Sequence, residues 1–202
     1  MPETVSGLVF VLSGPSGVGK DMLVARLTER NLGLRRVVTA VTRPPRPGEV
    51  EGVDYYFLTR ERFEQEVARG GFLEWAEYVG SPRGTPLFAL VRTLRRGDDA
   101  ILKIDLDGFR KVKRRLPDVI SIFILPPDLA VLERRLRGRG DVPADEVRRR
   151  LEQARAELAA ADEYDYRVVN RDGQLDRAVD EVAAIVAAER ARVPPRRVVI
   201  EA

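Results

Sequence analysis

The run Gly14-Pro15-Ser16-Gly17-Val18-Gly19-Lys20-Asp21 sets glycines and a lysine at the spacing G-x-x-x-x-G-K, with Asp21 where such a pattern ends in Ser or Thr. The chemistry this stretch supports is the binding of a phosphate. Glycines let the backbone curl until several N–H groups converge on one anion. A helix starting there adds its positive end, and a lysine adds a mobile charge able to follow a phosphoryl group in transfer. Asp21 puts a carboxylate where a hydroxyl would ligate magnesium. A carboxylate is also a magnesium ligand, at the cost of negative charge beside a polyphosphate.

The elements that must hold this loop are legible on either side of it. Leu8-Val9-Phe10-Val11-Leu12 is a short apolar run that reads as a buried strand, and Met22-Leu23-Val24-Ala25-Arg26-Leu27 reads as the start of a helix. A strand–loop–helix context favours a phosphate loop over a plain glycine turn. Further strands are expected at Val37–Val41, Ala100–Asp105, Ser121–Leu125 and Tyr166–Val169, with the first at Leu8–Ser13. Helices are expected at Val18–Glu29, Asp107–Arg115, Asp128–Leu136, Ala144–Ala160 and Leu175–Ala188. Val147, Leu151, Ala154 and Leu158 recur at helical spacing with charges between them. Strands alternating with helices predict an α/β fold: a parallel sheet of P-loop NTPase type flanked by helices.

Residues 43–90 break that rhythm. Arg43-Pro44-Pro45-Arg46-Pro47-Gly48-Glu49 is hostile to helix. Short strand-like pieces follow at Tyr55–Phe57 and Leu73–Val79, around a helical stretch 60–69, and the whole reads as an inserted lobe. Arg134–Asp141, dense in Arg and Gly, reads as a mobile lid. The tail Val193–Ala202, with Pro194-Pro195-Arg196-Arg197, reads as a loose extension.

Composition narrows the functions available. A chain of 202 residues with 44% hydrophobic content can build one domain with a substantial core. The net charge of +3 does not imply a nucleic-acid partner. Zero histidine and zero cysteine remove histidine catalysis, disulfides and thiolate metal sites. No apolar run reaches the ~18 residues of a membrane span. The N-terminus lacks the basic start and apolar stretch of a signal peptide, so a cytoplasmic protein is expected by elimination.

Five segments in register resemble the guanylate kinase family. They are the glycine loop; Thr42-Arg43-Pro44-Pro45-Arg46-Pro47-Gly48-Glu49-Val50-Glu51-Gly52-Val53-Asp54-Tyr55; Phe72-Leu73-Glu74-Trp75-Ala76; Ile122-Phe123-Ile124-Leu125-Pro126-Pro127; and Arg134-Arg135-Leu136-Arg137-Gly138-Arg139-Gly140. The resemblance runs from about residue 7 to 188. It implies transfer of the γ-phosphate of ATP to GMP or dGMP, with magnesium as cofactor; a monomer and a homodimer are both compatible with the sequence. It divides the single domain 1–202 into a core (7–35, 91–133 and 166–188), a nucleotide monophosphate lobe (36–90), a lid (134–165) and the tail (189–202).

The matching positions imply roles. Gly14, Pro15, Ser16, Gly17, Val18, Gly19, Lys20, Asp21 and Asn170 would bind ATP. Arg43, Arg46 and Tyr55 would hold the GMP phosphate, the arginines as bidentate forks. Thr39, Glu74, Thr85 and Asp105 would read guanine. Glu74 accepts from N1–H and the exocyclic amine together, which rejects adenine. Arg135, Arg139 and Arg150, with Lys20, would stabilise charge on the transferring group.

Three positions depart from the family pattern: Asp21; Lys103, where an acid is usual; and Arg83, where a tyrosine usually touches the GMP phosphate. Asp21 and Lys103 are opposite in sign, so they either compensate as a pair or have changed independently. Arg83 adds charge at the acceptor phosphate or turns to solvent. Two other functions share this fold: a kinase of another phosphorylated small molecule, such as ribose 1,5-bisphosphate, and a catalytically impaired module that binds nucleotides or phosphopeptides.

Overall fold

The computed structural model describes residues 4–78, 80–138 and 143–201. Its centre is a five-stranded sheet of β2 (Val9–Ser13), β3 (Leu34–Arg36), β8 (Asp99–Lys103), β9 (Ile120–Leu125) and β10 (Tyr166–Val169), in the order β10-β9-β2-β8-β3 and parallel throughout. Strands in an all-parallel sheet are covered on both faces, so their sequences are continuously apolar. Every residue of β2 is buried for this reason. Phe10 and Leu12 enter one apolar cluster, with Leu23, Leu27, Ile120 and Ile122. Val9 and Val11 enter the cluster on the opposite face, with Leu90, Phe109 and Phe123. The period-2 alternation of strand side chains thus feeds two cores from one run of five residues.

Helices cover both faces: α1 (Lys20–Glu29), α3 (Leu87–Arg95), α4 (Leu106–Arg115), α5 (Leu129–Arg137), α6 (Ala144–Ala159) and α7 (Leu175–Ala191). Between β3 and α3 the chain builds a second sheet. It contains β4 (Thr39–Val41), β5 (Tyr55–Phe57), β6 (Phe72–Tyr78) and β7 (Ser81–Pro86) in the order β5-β4-β7-β6, with α2 (Arg60–Ala68) against it. A small cluster of Ala40, Phe63 and Phe72 forms its core.

Several expectations change in the structure. The apolar run 37–41 does not form one core strand. The core sheet takes β3, three residues earlier, and the chain then crosses so that Thr39–Val41 pairs with β5 and β7. Strand β7 is not foreshadowed by its own residues, because Pro82 and Pro86 signal turns. Both prolines lie near its ends, where a lost donor costs least. Helix α3 is likewise unexpected; its first residues follow the strand-ending Pro86, and Ala89, Leu90, Val91 and Leu94 are buried. The expected strand end at Val79 and the lid positions 139–141 lie outside the described residues.

The tail is not loose. Residues Val198–Glu201 form β11, antiparallel to β1 (Thr4–Gly7), with Val198 and Ile200 buried against Val5 and α3. Arg196 anchors the approach. It donates to Glu189 at 3.0 Å and pairs with Asp165 at 2.9 Å.

Candidate functional site

The carboxyl ends of parallel strands are where α/β sheets place ligands, and the candidate residues gather there. Strand β2 runs directly into the glycine loop, and α1 begins at Lys20. Gly14 has φ 141° and Gly19 φ 99°, in the region that side chains disfavour. A Cβ at Gly14 would stand 2.4 Å from the carbonyl oxygen of Ile124, and one at Gly19 2.5 Å from the Asn170 amide nitrogen. The loop is therefore packed against the end of β9 and against Asn170, just past β10, with no room for larger residues at these two positions.

A cavity of about 570 Å³ opens above the loop. Gly14, Ser16, Gly17, Gly19, Lys20 and Asp21 line it from one side, and Thr39, Tyr55, Glu74 and Arg83 from the second sheet. Lys103 and Asp105 close it from the end of β8, and Arg150 from α6. Six basic and seven acidic side chains line it among the described residues, so it is not a simple basic cup.

The cations in and around this cavity are mostly engaged by carboxylates. The Lys103 ammonium pairs with Asp21, across from the first turn of α1. Arg83 donates to Asp105 at 3.2 Å, and Arg150 to Glu146 at 2.7 Å. Arg43 forms a two-pronged pair with Glu49, both contacts at 2.6 Å, and lies over the Tyr55 ring with 5.0 Å to its centroid. These bonds hold the Glu49 carboxyl down at about 2. Lys20 folds back onto carbonyls of its own loop, Gly14 and Pro15. Desolvation lowers its pKa to about 8, against the pull of Glu157 and Asp21.

The side of the cavity away from the loop also holds a buried ionisable group. Glu74 is buried and accepts the Thr85 hydroxyl at 2.6 Å. Burial pushes its pKa up, opposed chiefly by the Thr85 hydrogen bond. Asp105 caps α4 by accepting the Gly108 N–H at 2.9 Å. A Cβ at Gly108 would stand 3.2 Å from both Asp105 Oδ1 and Glu74 Oε2. Two carboxylates therefore converge at the first turn of α4, packed so closely that only glycine fits there, and both line the cavity.

Not every expected residue reaches the cavity. Asn170 is buried beneath the loop and donates to the Val18 carbonyl at 2.8 Å. Arg135 reaches the same carbonyl at 3.3 Å, and its other nitrogens hold Asp172 and the Asn170 carbonyl. Both brace the loop from behind. Arg46 is exposed, with its backbone N–H on Glu49. Arg139 lies outside the described residues.

Sequence reasoning passes over other residues that line the cavity, including Arg36, Arg149, Gln153 and Glu157. Glu157 is buried and accepts from Gln153 at 2.9 Å, and burial raises its pKa. Its signal is a carboxylate next to the apolar stripe Val147, Leu151, Ala154 and Leu158.

A parallel sheet whose first core strand runs into a glycine loop ending in lysine, facing a second sheet across a charged cavity, defines a P-loop nucleotide-phosphate-binding protein. The family model for guanylate kinase matches residues 6–189. The guanylate kinase of Synechococcus sp. (strain JA-3-3Ab) is 47% identical over 185 residues, covering 92% of this chain and 84% of that protein. A guanylate kinase of Thermus thermophilus is 48% identical over 186 residues, covering 92% of this chain and 83% of that protein. The solved guanylate kinase of Anaplasma phagocytophilum superposes with a TM-score of 0.73 at 32% identity, covering 98% of this chain and 92% of that one. The chain belongs to the guanylate kinase family of nucleoside monophosphate kinases. Among the described residues, no helix is long and apolar enough to cross a membrane.

Proposed function

We propose that this protein transfers the γ-phosphate of ATP to GMP, giving ADP and GDP. Family membership supports the reaction class. The observation that carries the acceptor is the buried Glu74, held by the Thr85 hydroxyl and lining the same cavity as Asp105 and Lys20. A carboxylate accepts from guanine N1–H and the exocyclic amine at once, while adenine offers an acceptor at N1 and would face it with repulsion. Thr39 lines the same space.

The acceptor is already an anionic phosphate, so no general base is needed. Catalysis is positioning plus stabilisation of charge. The loop N–H groups and Lys20 hold the donor phosphates. Arg43 is the fork for the GMP phosphate; the Glu49 carboxylate that fills it in the free protein stands in for that phosphate. Tyr55 and Arg46 flank it, and Arg83 adds a charge from β7. Arg150 and Arg139 stabilise the group in flight, and Arg135 keeps the loop in shape.

Magnesium is held in kinases through one or two carboxylates, water and the substrate phosphates. The donor set here fits that mode and not a cage. Asp21 presents an exposed carboxylate beside the phosphate loop, and no group of three or more acidic side chains able to hold a metal occurs among the described residues. Asp21 would be the protein ligand, and the metal would neutralise charge on the phosphates.

A coupled ADP-release assay with ATP and magnesium tests the reading against GMP, dGMP, AMP and ribose 1,5-bisphosphate. Turnover with the guanine nucleotides alone is expected. Turnover with ribose 1,5-bisphosphate, or binding of GMP with no turnover of any acceptor, refutes it.

A further inference from the structure

The cavity holds a second lysine, for which the reaction as described has no use. Lys103 ends β8, where it is in register with Leu12, the residue before the β2 strand end. It shares the cavity with Gly14 and Lys20 of the loop and with Asp105, two residues on, whose Oδ2 accepts from Arg83 at 3.2 Å. Lys103 thus lines the cavity together with the phosphate loop, whose Asp21 it pairs with, and with Glu74, Arg83 and Asp105 on the other side.

Its pairing with Asp21 is lopsided. The Lys103 side chain is 24% exposed and that of Asp21 is 72% exposed. An ion pair with one member in water contributes roughly 0–1 kcal/mol. That is too little to explain an ammonium kept inside a cavity, and it yields readily to a ligand of higher charge. Losing the ammonium costs Asp21 little, because water already reaches it. A lysine is a compact charge on a flexible stem with three donors, and a terminal phosphate offers three acceptor oxygens.

We propose that Lys103 is a second phosphate-binding lysine, resting on Asp21 in the free protein and moving to the terminal phosphate of the donor nucleotide when it binds. The proposal rests on the cavity being the ATP site. It gives the two unusual residues complementary tasks: Lys103 moves to the phosphate, and Asp21, which holds it until then, is left open to a metal.

Titration calorimetry with the full chain in EDTA, using ATP and ADP as probes, tests this against a merely structural bridge. Lys103→Met is expected to weaken ATP about tenfold, the scale of one charge-assisted hydrogen bond, and ADP clearly less. Asp21→Asn is expected to tighten ATP by about threefold, since it removes a weak internal competitor. Lys103→Arg should bind ATP close to the parent, and thermal midpoints should stay within a few degrees in all three. A structural bridge requires Lys103→Met and Asp21→Asn to shift binding in the same direction, and that result overturns the proposal. Unchanged ATP affinity in Lys103→Met also overturns it; loss of binding in Lys20→Met would show that the site itself stands. If the parent protein binds neither nucleotide, the proposal and the site reading fall together.

Discussion

Glu74→Gln separates guanine reading from folding, because the two effects run in opposite directions. In the free protein Glu74 is 8% exposed, and its carboxylate accepts the Thr85 hydroxyl at 2.6 Å. Burial raises its pKa, so the fold disfavours the ionised form. Glutamine keeps an acceptor for Thr85 and removes the charge, so stability should hold or rise. The sign with pH follows. A carboxyl raised in the folded state contributes stability below its unfolded pKa and loses it as pH climbs through the folded one. The variant lacks that loss, so its advantage should grow from about pH 4.5 upward before levelling off.

Catalysis should respond the other way. Guanine offers two donors, and glutamine answers one of them with its own N–H₂. Losing a hydrogen bond to a charged acceptor costs about 1.5–3 kcal/mol, and leaving a buried donor without an acceptor costs a further ~1–3 kcal/mol. A combined ~2.5–6 kcal/mol lowers kcat/KM for GMP between about 60-fold and about 20,000-fold. ATP affinity in the absence of GMP should not change. The assay is steady-state kinetics with GMP beside a chemical melt at several pH values. Retention of kcat/KM within about threefold would refute the guanine assignment. A fall in stability matching the fall in activity would refute the opposition on which the argument rests.

Gly14→Ala should lose about 3 kcal/mol or more, from a φ of 141° and a Cβ 2.4 Å from a carbonyl oxygen, lowering the thermal midpoint by about 6–12 °C. Asn170→Ala removes the 2.8 Å bond to Val18 while Arg135 still reaches that carbonyl; it should cost about 1 kcal/mol of stability and raise KM for ATP more than KM for GMP. Arg196→Ala removes one of the cations on Glu189, which is 2% exposed and keeps Tyr166 and Arg192; denaturant melts should show a loss of about 1.5–3 kcal/mol with kcat/KM for GMP unchanged.

The parts of this molecule legible in the sequence are those governed by local rules. Val9–Ser13, the glycine loop and Lys20 announce themselves, because a buried parallel strand must be apolar and a phosphate loop must be glycine-rich. The Asp21–Lys103 pair is one of two readings of two charges 82 positions apart, and only the adjacency of β2 and β8 decides between them. What escapes is set by tertiary context. Strand β7 contains two prolines and is made by its neighbours β4 and β6, not by its own propensity. The tail's Val198 and Ile200 alternate with exposed Val199, a strand signal, but the prolines before them point to looseness. The roles of Asn170 and Arg135 depend on which way a side chain turns, and both turn toward the loop's underside.

The carboxylates that occupy the cations in and around this cavity amount to competitive ligands tethered in place. Glu49 on Arg43, Asp105 on Arg83 and Glu146 on Arg150 each act at the high effective concentration of a group held in place by the fold. A solitary phosphate ion in solution has to beat one of them with little in return. A nucleotide meets several at once and adds its base, so it alone gains enough to unseat them together. Discrimination against the abundant free anions of a cell is thereby a property of the protein before any ligand arrives, and nucleotide binding should be much less sensitive to added phosphate than a bare arginine pocket would be.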